Sequence, residues 1–277
     1  MDMNMTPAGA PDTGAPRGMD LDELVFVDTG EQTGAFNMDF DVHRAEQVDA
    51  GAAPPMLRVY NWKPWCISLG RYQKIEEIDQ SATSAAGYDI VRRPTGGRAI
   101  LHAEELTYSV VMPSQDRGIM EVYRLISEAL TAGLQQLVPE IDIAKSQPNF
   151  QKLYKEAGSI PCFSSSARYE IEYGGKKLVG SAQRRIGGTV LQHGSILIGE
   201  AHLALADFLA VSGDVQEQLR HDMRAHTTTL QEVLGRQVFR NEVRDALIEG
   251  FRRAWGVRIS ISTENEYISA TESREFT

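Results

Sequence analysis

Strand-like segments dominate about the first 200 residues of this chain, and helical spacing takes over after them. A regular βαβ protein alternates strand and helix throughout, so this order predicts an α+β layout around one mixed sheet. Residues 23–28 read as a first strand and 29–34 as a turn. Asn37 is a capping type of residue and is expected to start a helix through Met38, Asp41 and Ala45. Residues 57–61, 66–69, 88–92 and 106–112 read as strands, the last apolar enough to be buried on both faces. The clearest helix covers residues 119–137, where apolar residues recur at helical spacing. Residues 145–166 are long, polar and aperiodic, as functional or disordered loops are. An alternating hairpin follows, with its turn at Gly174-Gly175, and residues 189–198 hold a further strand or two. Helices are expected over 203–211, 215–221, 229–234 and 239–255.

A chain of 277 residues buries a core without disulfides or metals, and its two cysteines, Cys66 and Cys162, make neither a disulfide framework nor a CxxC site. Two free thiols suit a reducing cytoplasm. The net charge of −10 argues against a general nucleic-acid binder, which needs a basic surface to displace counterions. No apolar run is long enough for a membrane span. Residues 1–20, rich in Pro, Gly, Ala and Asp, read as a disordered tail and not as a signal peptide, leaving 21–277 as one domain.

Four stretches could carry chemistry. In Arg92-Arg93-Pro94-Thr95-Gly96-Gly97-Arg98 a strand runs into paired glycines, which let backbone N–H groups approach an anion or carbonyl oxygen. An ordinary turn with exposed arginines reads the same way. Cys162 sits in the long polar loop; it is either a small buried hydrophobe or a thiolate with access and cationic neighbours, since Lys145, Lys152 and Lys155 are close in sequence. Cys66, inside an apolar run, reads as core. Lys176 and Lys177 precede the small residues Gly180-Ser181-Ala182 and Gln183; one of the two lysines is expected to be solvated. His193, before Gly194, is either a general base or a partly buried, hydrogen-bonded imidazole, and His102 has the same two readings. No histidine spacing suits a metal.

The order of these motifs carries more than any one of them. Arg92-Arg93-x-Thr95-Gly96-Gly97 with Leu101-His102, then Leu106-Thr107-Tyr108-Ser109, Cys162-Phe163, Lys177-x-x-Gly180-Ser181-Ala182-Gln183 and Leu191-Gln192-His193-Gly194-Ser195 resembles the lipoate–protein ligase A and lipoyl/octanoyltransferase superfamily. Asn37-Met38-x-x-Asp41, Leu69-Gly70-Arg71-Tyr72-Gln73 and Leu234-Gly235-Arg236 fit the same pattern, so the resemblance runs from about residue 24 to about 256. Cys162-Phe163, the Arg-Arg-Pro-Thr-Gly-Gly-Arg loop and a C-terminal end with no room for an accessory domain favour the octanoyltransferase branch that uses a Cys-Phe cysteine, the LipM type. Asp39, where that branch has a small residue, and the long tail depart from it.

The resemblance implies a biotin/lipoate ligase-like fold, with a central mixed sheet flanked by helices and a smaller second sheet. It implies octanoyl transfer from octanoyl-acyl carrier protein to a lysine of a lipoyl domain, such as the glycine cleavage H protein or a 2-oxoacid dehydrogenase E2. Cys162 would form an acyl-enzyme and Lys177 would move protons, with no cofactor and no metal. Arg92, Arg93, Thr95, Gly96, Gly97, His102, Gly180, Ser181, Ala182, Gln183, His193 and Gly194 would bind substrate. Arg92, Arg93, Lys145, Lys152, Arg184 and Arg185 would form a basic rim that steers acidic carriers. An ATP-dependent ligase working through an acyl-adenylate is the alternative on this fold, and a non-catalytic docking protein is a second.

Overall fold

The computed structural model describes residues 20–144 and 169–262. Strand β1 covers Glu23–Gln32, helix α1 Gly34–Asp49, β2 Met56–Trp62 and β3 Cys66–Leu69. After the short helix α2 (Gln80–Ala85) come β4 (Asp89–Arg92), β5 (Ile100–His102) and β6 (Glu105–Pro113). Helix α3 spans Ile119–Leu134, followed by β7 (Asp142–Ile143), β8 (Ile171–Tyr173), β9 (Lys176–Ile186) and β10 (Thr189–Leu197). A 3₁₀ stretch over Glu200–Phe208 leads to α4 (Gly213–His226), α5 (Leu230–Leu234), α6 (Arg240–Trp255) and β11 (Arg258–Ile261).

Eight strands form one mixed sheet in the order β11-β1-β2-β6-β10-β9-β8-β7, and β4-β3-β5 form a smaller one. Strands β11, β1 and β2 run parallel to one another, whereas β2-β6-β10-β9 are antiparallel. This is the α+β architecture expected, with its second sheet.

Strand alternation sorts the large sheet's side chains onto two faces. Leu57 and Val59 of β2, Leu106, Tyr108 and Val110 of β6, and Val190 and Ile196 of β10 join α3 and α6 in the main core. On the opposite face Met56, Val111 and Leu191 pack with Phe40, Ala45 and Val48 of α1. Further along that second face the residues turn polar: Arg58, Thr107, Ser109, His193 and Ser195 are all buried. One set of strands thus supplies both a core and the floor of a site. Helices α3 and α6 cross closely because Gly133 has no side chain; a methyl there would lie 2.5 Å from the Ala246 carbonyl oxygen.

Several local expectations are corrected. Residues 29–34 are not a turn, because β1 continues to Gln32 and pairs with Trp62. Thr33, not Asn37, caps α1: its side chain accepts from the Phe36 N–H. Asn37 lies inside the helix, fully buried, with its side chain committed to Arg58. The segment predicted as a helix over 203–211 is the 3₁₀ stretch. Strands β5 and β11 and helix α2 were not anticipated. Of the tail expected over 1–20, residues 1–19 lie outside the described residues, as does the loop over 145–166. No helix among the described residues is long and apolar enough to cross a membrane.

Candidate active site

A pocket opens between the two sheets. Met38 of α1, Trp62 of β2 and Ile100 of β5 give it apolar surface. Polar groups converge from three directions: Ser68, Arg93 and His102 from the small sheet, Lys177, Gly180, Ser181 and Ala182 from β9, and His193, Gly194 and Ser195 from β10. The Ser195 hydroxyl is buried in this wall and makes no hydrogen bond among the described residues.

Two hydroxyl–imidazole–carboxylate chains flank the pocket. In the first, His193 Nε2 lies 2.7 Å from Thr95 Oγ1 and Nδ1 lies 3.4 Å from Asp41 Oδ2. Asp41 is fully buried and bonds Arg58 at 2.9 Å and the Tyr60 hydroxyl at 3.2 Å. Burial alone would raise the Asp41 carboxyl; the Arg58 charge and His193 outweigh it and hold it below the usual carboxylate range. Burial likewise lowers His193, against the opposing pull of Asp41, so the imidazole is neutral at pH 7. An ionised carboxylate only accepts, which assigns the ring proton to Nδ1 and leaves Nε2 to accept from the Thr95 hydroxyl. In the second chain His102 Nε2 lies 2.8 Å from Ser68 Oγ and Nδ1 lies 2.7 Å from Glu105 Oε1. Thr107 donates to the same Glu105 oxygen, and the His102 ring stacks on Trp62 with centroids 4.0 Å apart.

The paired arginines brace backbone. Arg93 is buried and donates to the Gly96, Arg98 and Ser68 carbonyls at 2.7–3.1 Å. Arg92 donates to the carbonyls of Gly70, Arg71 and Gln73 at 2.6–3.2 Å. The glycine loop is thereby held against the small sheet. Arg184 reaches the Pro94 carbonyl at 3.4 Å, and Arg185 reaches that of Arg117 at 3.1 Å.

Lys177 is the buried member of the lysine pair, and its Nζ lies 2.6 Å from Glu170 Oε1. Lys176 is more exposed and faces Glu232 at 3.5 Å. A further polar chain runs across β9, β10 and β6. Gln183 donates to Gln192 at 3.2 Å, Gln192 to the Tyr108 hydroxyl at 2.9 Å, and that oxygen is 2.7 Å from Ser181 Oγ. Burial pushes the Tyr108 phenol up to about 12, so it keeps its proton and can donate to Ser181.

Of the residues singled out from the sequence, Arg93, His102, Lys177, Gly180, Ser181, Ala182, His193 and Gly194 line the pocket. Thr95 stands behind His193; Arg92, Gly96, Gly97 and Gln183 are not in the lining. Cys162, Phe163, Lys145, Lys152 and Lys155 lie outside the described residues. Cys66 is core, as expected, and burial pushes its thiol well up. Sequence reasoning gave no role to Arg58, Asp41, Ser68, Glu105 or Glu170. A signal for Arg58 was present: a lone cation inside the apolar run Leu57-Arg58-Val59 needs a buried anion opposite it.

The Lipoyl protein ligase A/B catalytic domain family matches residues 33–252. Octanoyltransferase LipM of Kyrpidia tusciae is 41% identical over 240 residues, covering 84% of this chain and 88% of that protein. Octanoyltransferase LipM of Symbiobacterium thermophilum is 40% identical over 239 residues, covering 85% and 87%. Among solved structures, the bi-partite lipoate protein ligase of Thermoplasma acidophilum matches with a TM-score of 0.68 at 24% identity, covering 94% of this chain and 93% of that one. That last likeness is one of fold.

Proposed function

The chain belongs to the lipoyl protein ligase A/B catalytic domain family, and from that premise we propose that it is an octanoyltransferase of protein lipoylation. Its donor is octanoyl-acyl carrier protein and its acceptor is a lysine of a lipoyl domain, of the kind carried by the glycine cleavage H protein and the 2-oxoacid dehydrogenase E2 subunits. The observation that carries the reading is the placement of Lys177, a buried lysine in the wall of a pocket with apolar surface. Such a pocket suits an acyl chain, which gains about 0.8 kcal/mol for each buried CH₂. Lys177 is then within reach of the reacting carbonyl.

Cys162 is the nucleophile in this proposal. Its thiolate attacks the thioester carbonyl, and the carbon–sulfur bond to pantetheine breaks as the tetrahedral intermediate collapses. The Lys177 ammonium gives its proton to the departing thiol. The neutral Lys177 amine then takes a proton from the incoming acceptor lysine, whose nitrogen attacks the acyl-enzyme and releases the Cys162 thiolate. Arg92 and Arg93 hold the glycine loop against the pocket, and Thr95 with His193 ties that loop to β10. Ser181 and Ser195 present hydroxyls to the substrate.

The test is a transfer assay. The enzyme, octanoyl-loaded acyl carrier protein and a lipoyl domain are mixed without nucleotide, and the lipoyl domain is weighed. A gain of one octanoyl group supports the proposal. Modification that appears only with ATP and free octanoate would make the chain a ligase.

A further inference from the structure

We infer that Glu170 is a positioning residue for the proton transfer, holding the Lys177 side chain in place in the pocket wall. The inference deepens the proposed function and rests on its reading of Lys177. The carboxylate oxygen is 2.6 Å from Nζ, and the two side chains are 8% and 9% exposed. The contrast within the same chain is Lys63 with Glu31, at 3.0 Å but 60–74% exposed, a surface pair of the kind that contributes little. A lysine buried at a pocket wall keeps its charge only beside a partner, and here that partner is built in.

The backbone fixes both ends of the pair before any substrate arrives. Glu170 immediately precedes β8, and its carbonyl accepts from the Ala144 N–H at 2.8 Å, beside β7. Lys177 lies near the start of β9, and its carbonyl accepts from the Thr228 N–H at 3.0 Å. The hairpin that joins β8 to β9 turns through Gly174 and Gly175, both at positive φ. That tight turn sets the seven-residue separation across which carboxylate and ammonium meet.

Other charged and titratable groups surround the pair. Glu172 faces Lys177 in the β8–β9 register; burial, Asp142 of β7 and Glu170 itself push its carboxyl up. His202 hydrogen-bonds Thr227, which bridges to Lys177, and burial lowers that imidazole to about 4. His226 ends α4 and bonds the Asp222 carbonyl, and Glu232 of α5 pairs with Lys176. His193 lines the pocket from β10.

The experiment measures kcat and KM for octanoyl-acyl carrier protein, with a lipoyl domain as acceptor, for wild type, Glu170→Gln, Glu170→Asp and Lys177→Ala. In Glu170→Gln kcat falls about tenfold while KM stays with the wild type, because the lysine loses its fixed place at the reacting atoms and the pocket itself is intact. Glu170→Asp keeps the carboxylate and restores most of the lost kcat. A Glu170→Gln enzyme with wild-type kcat, beside an inactive Lys177→Ala, would overturn this inference alone. Wild-type kcat/KM in Lys177→Ala would overturn the reading of Lys177 and this inference with it.

Discussion

Arg58 and Asp41 form a 2.9 Å ion pair whose side chains are both fully buried beneath the pocket. The guanidinium also donates to Thr29 and Asn37 and lies 3.9 Å from the Tyr60 ring centroid. Such a pair is held by having every partner in place. Asp41→Asn removes the counter-charge and strands the guanidinium in the interior, so the variant should lose about 3–5 kcal/mol of stability. Urea unfolding of the two proteins at neutral pH measures the difference.

The Thr95 hydroxyl joins the glycine loop to His193. Thr95→Val keeps the volume and removes the donor, at a cost of about 1–2 kcal/mol for the unsatisfied imidazole nitrogen. If that loss falls on the loop's working position, octanoyl transfer drops about tenfold, since each 1.4 kcal/mol is a factor of ten. Thr95→Ser restores the rate. Steady-state transfer assays on the three proteins decide it.

What was legible in the sequence was what local pattern encodes. The apolar spacing over residues 119–137 gave α3, which ends three residues earlier at Leu134, and the run over 106–112 gave a strand buried on both faces. The motif order brought out Lys177, His193 and His102, which the fold then gathers in one pocket. What was missed depends on partners distant along the chain. Strand β11 pairs with β1 across more than 200 residues, and no local period announces that. Thr33 and Asn37 are both capping types; the choice between them falls to the tertiary partner Arg58, which claims the Asn37 side chain. Glu170 lies in the alternating hairpin read from the sequence, but nothing local singles it out, and it meets Lys177 through the fold of that hairpin.

Gly194 marks where β10 and β9 approach too closely for a side chain. An added methyl would lie 2.5 Å from the Gly180 carbonyl oxygen and 2.7 Å from the Tyr108 ring. Gly194→Ala should therefore cost about 1–3 kcal/mol and distort the pocket wall, with transfer activity lost. Gly188→Ala is the control, because its methyl meets nothing nearer than Asp49 at 3.5 Å. Melting temperatures and transfer rates of both variants test the contrast.

His202 makes the fold acid-sensitive. Burial lowers its imidazole from an ordinary 6.5 to about 4. Between those values the unfolded chain binds more protons than the folded one, so stability is full above pH 6.5 and falls as pH drops towards 4. The loss from this group reaches about 3 kcal/mol, and His193, also lowered by burial, adds in the same direction. Urea midpoints at pH 7 and pH 4.5 should show a smaller acid loss in His202→Gln than in wild type.

The central claim is that the chain takes the octanoyl group onto Cys162 and passes it on without ATP. The most direct measurement is the intact mass of the protein after mixing with octanoyl-loaded acyl carrier protein, without nucleotide, beside Cys162→Ser. The account predicts a hydroxylamine-labile octanoyl adduct on wild type and none on the variant. No adduct without ATP, with a lipoyl domain modified once ATP and free octanoate are supplied, would contradict it.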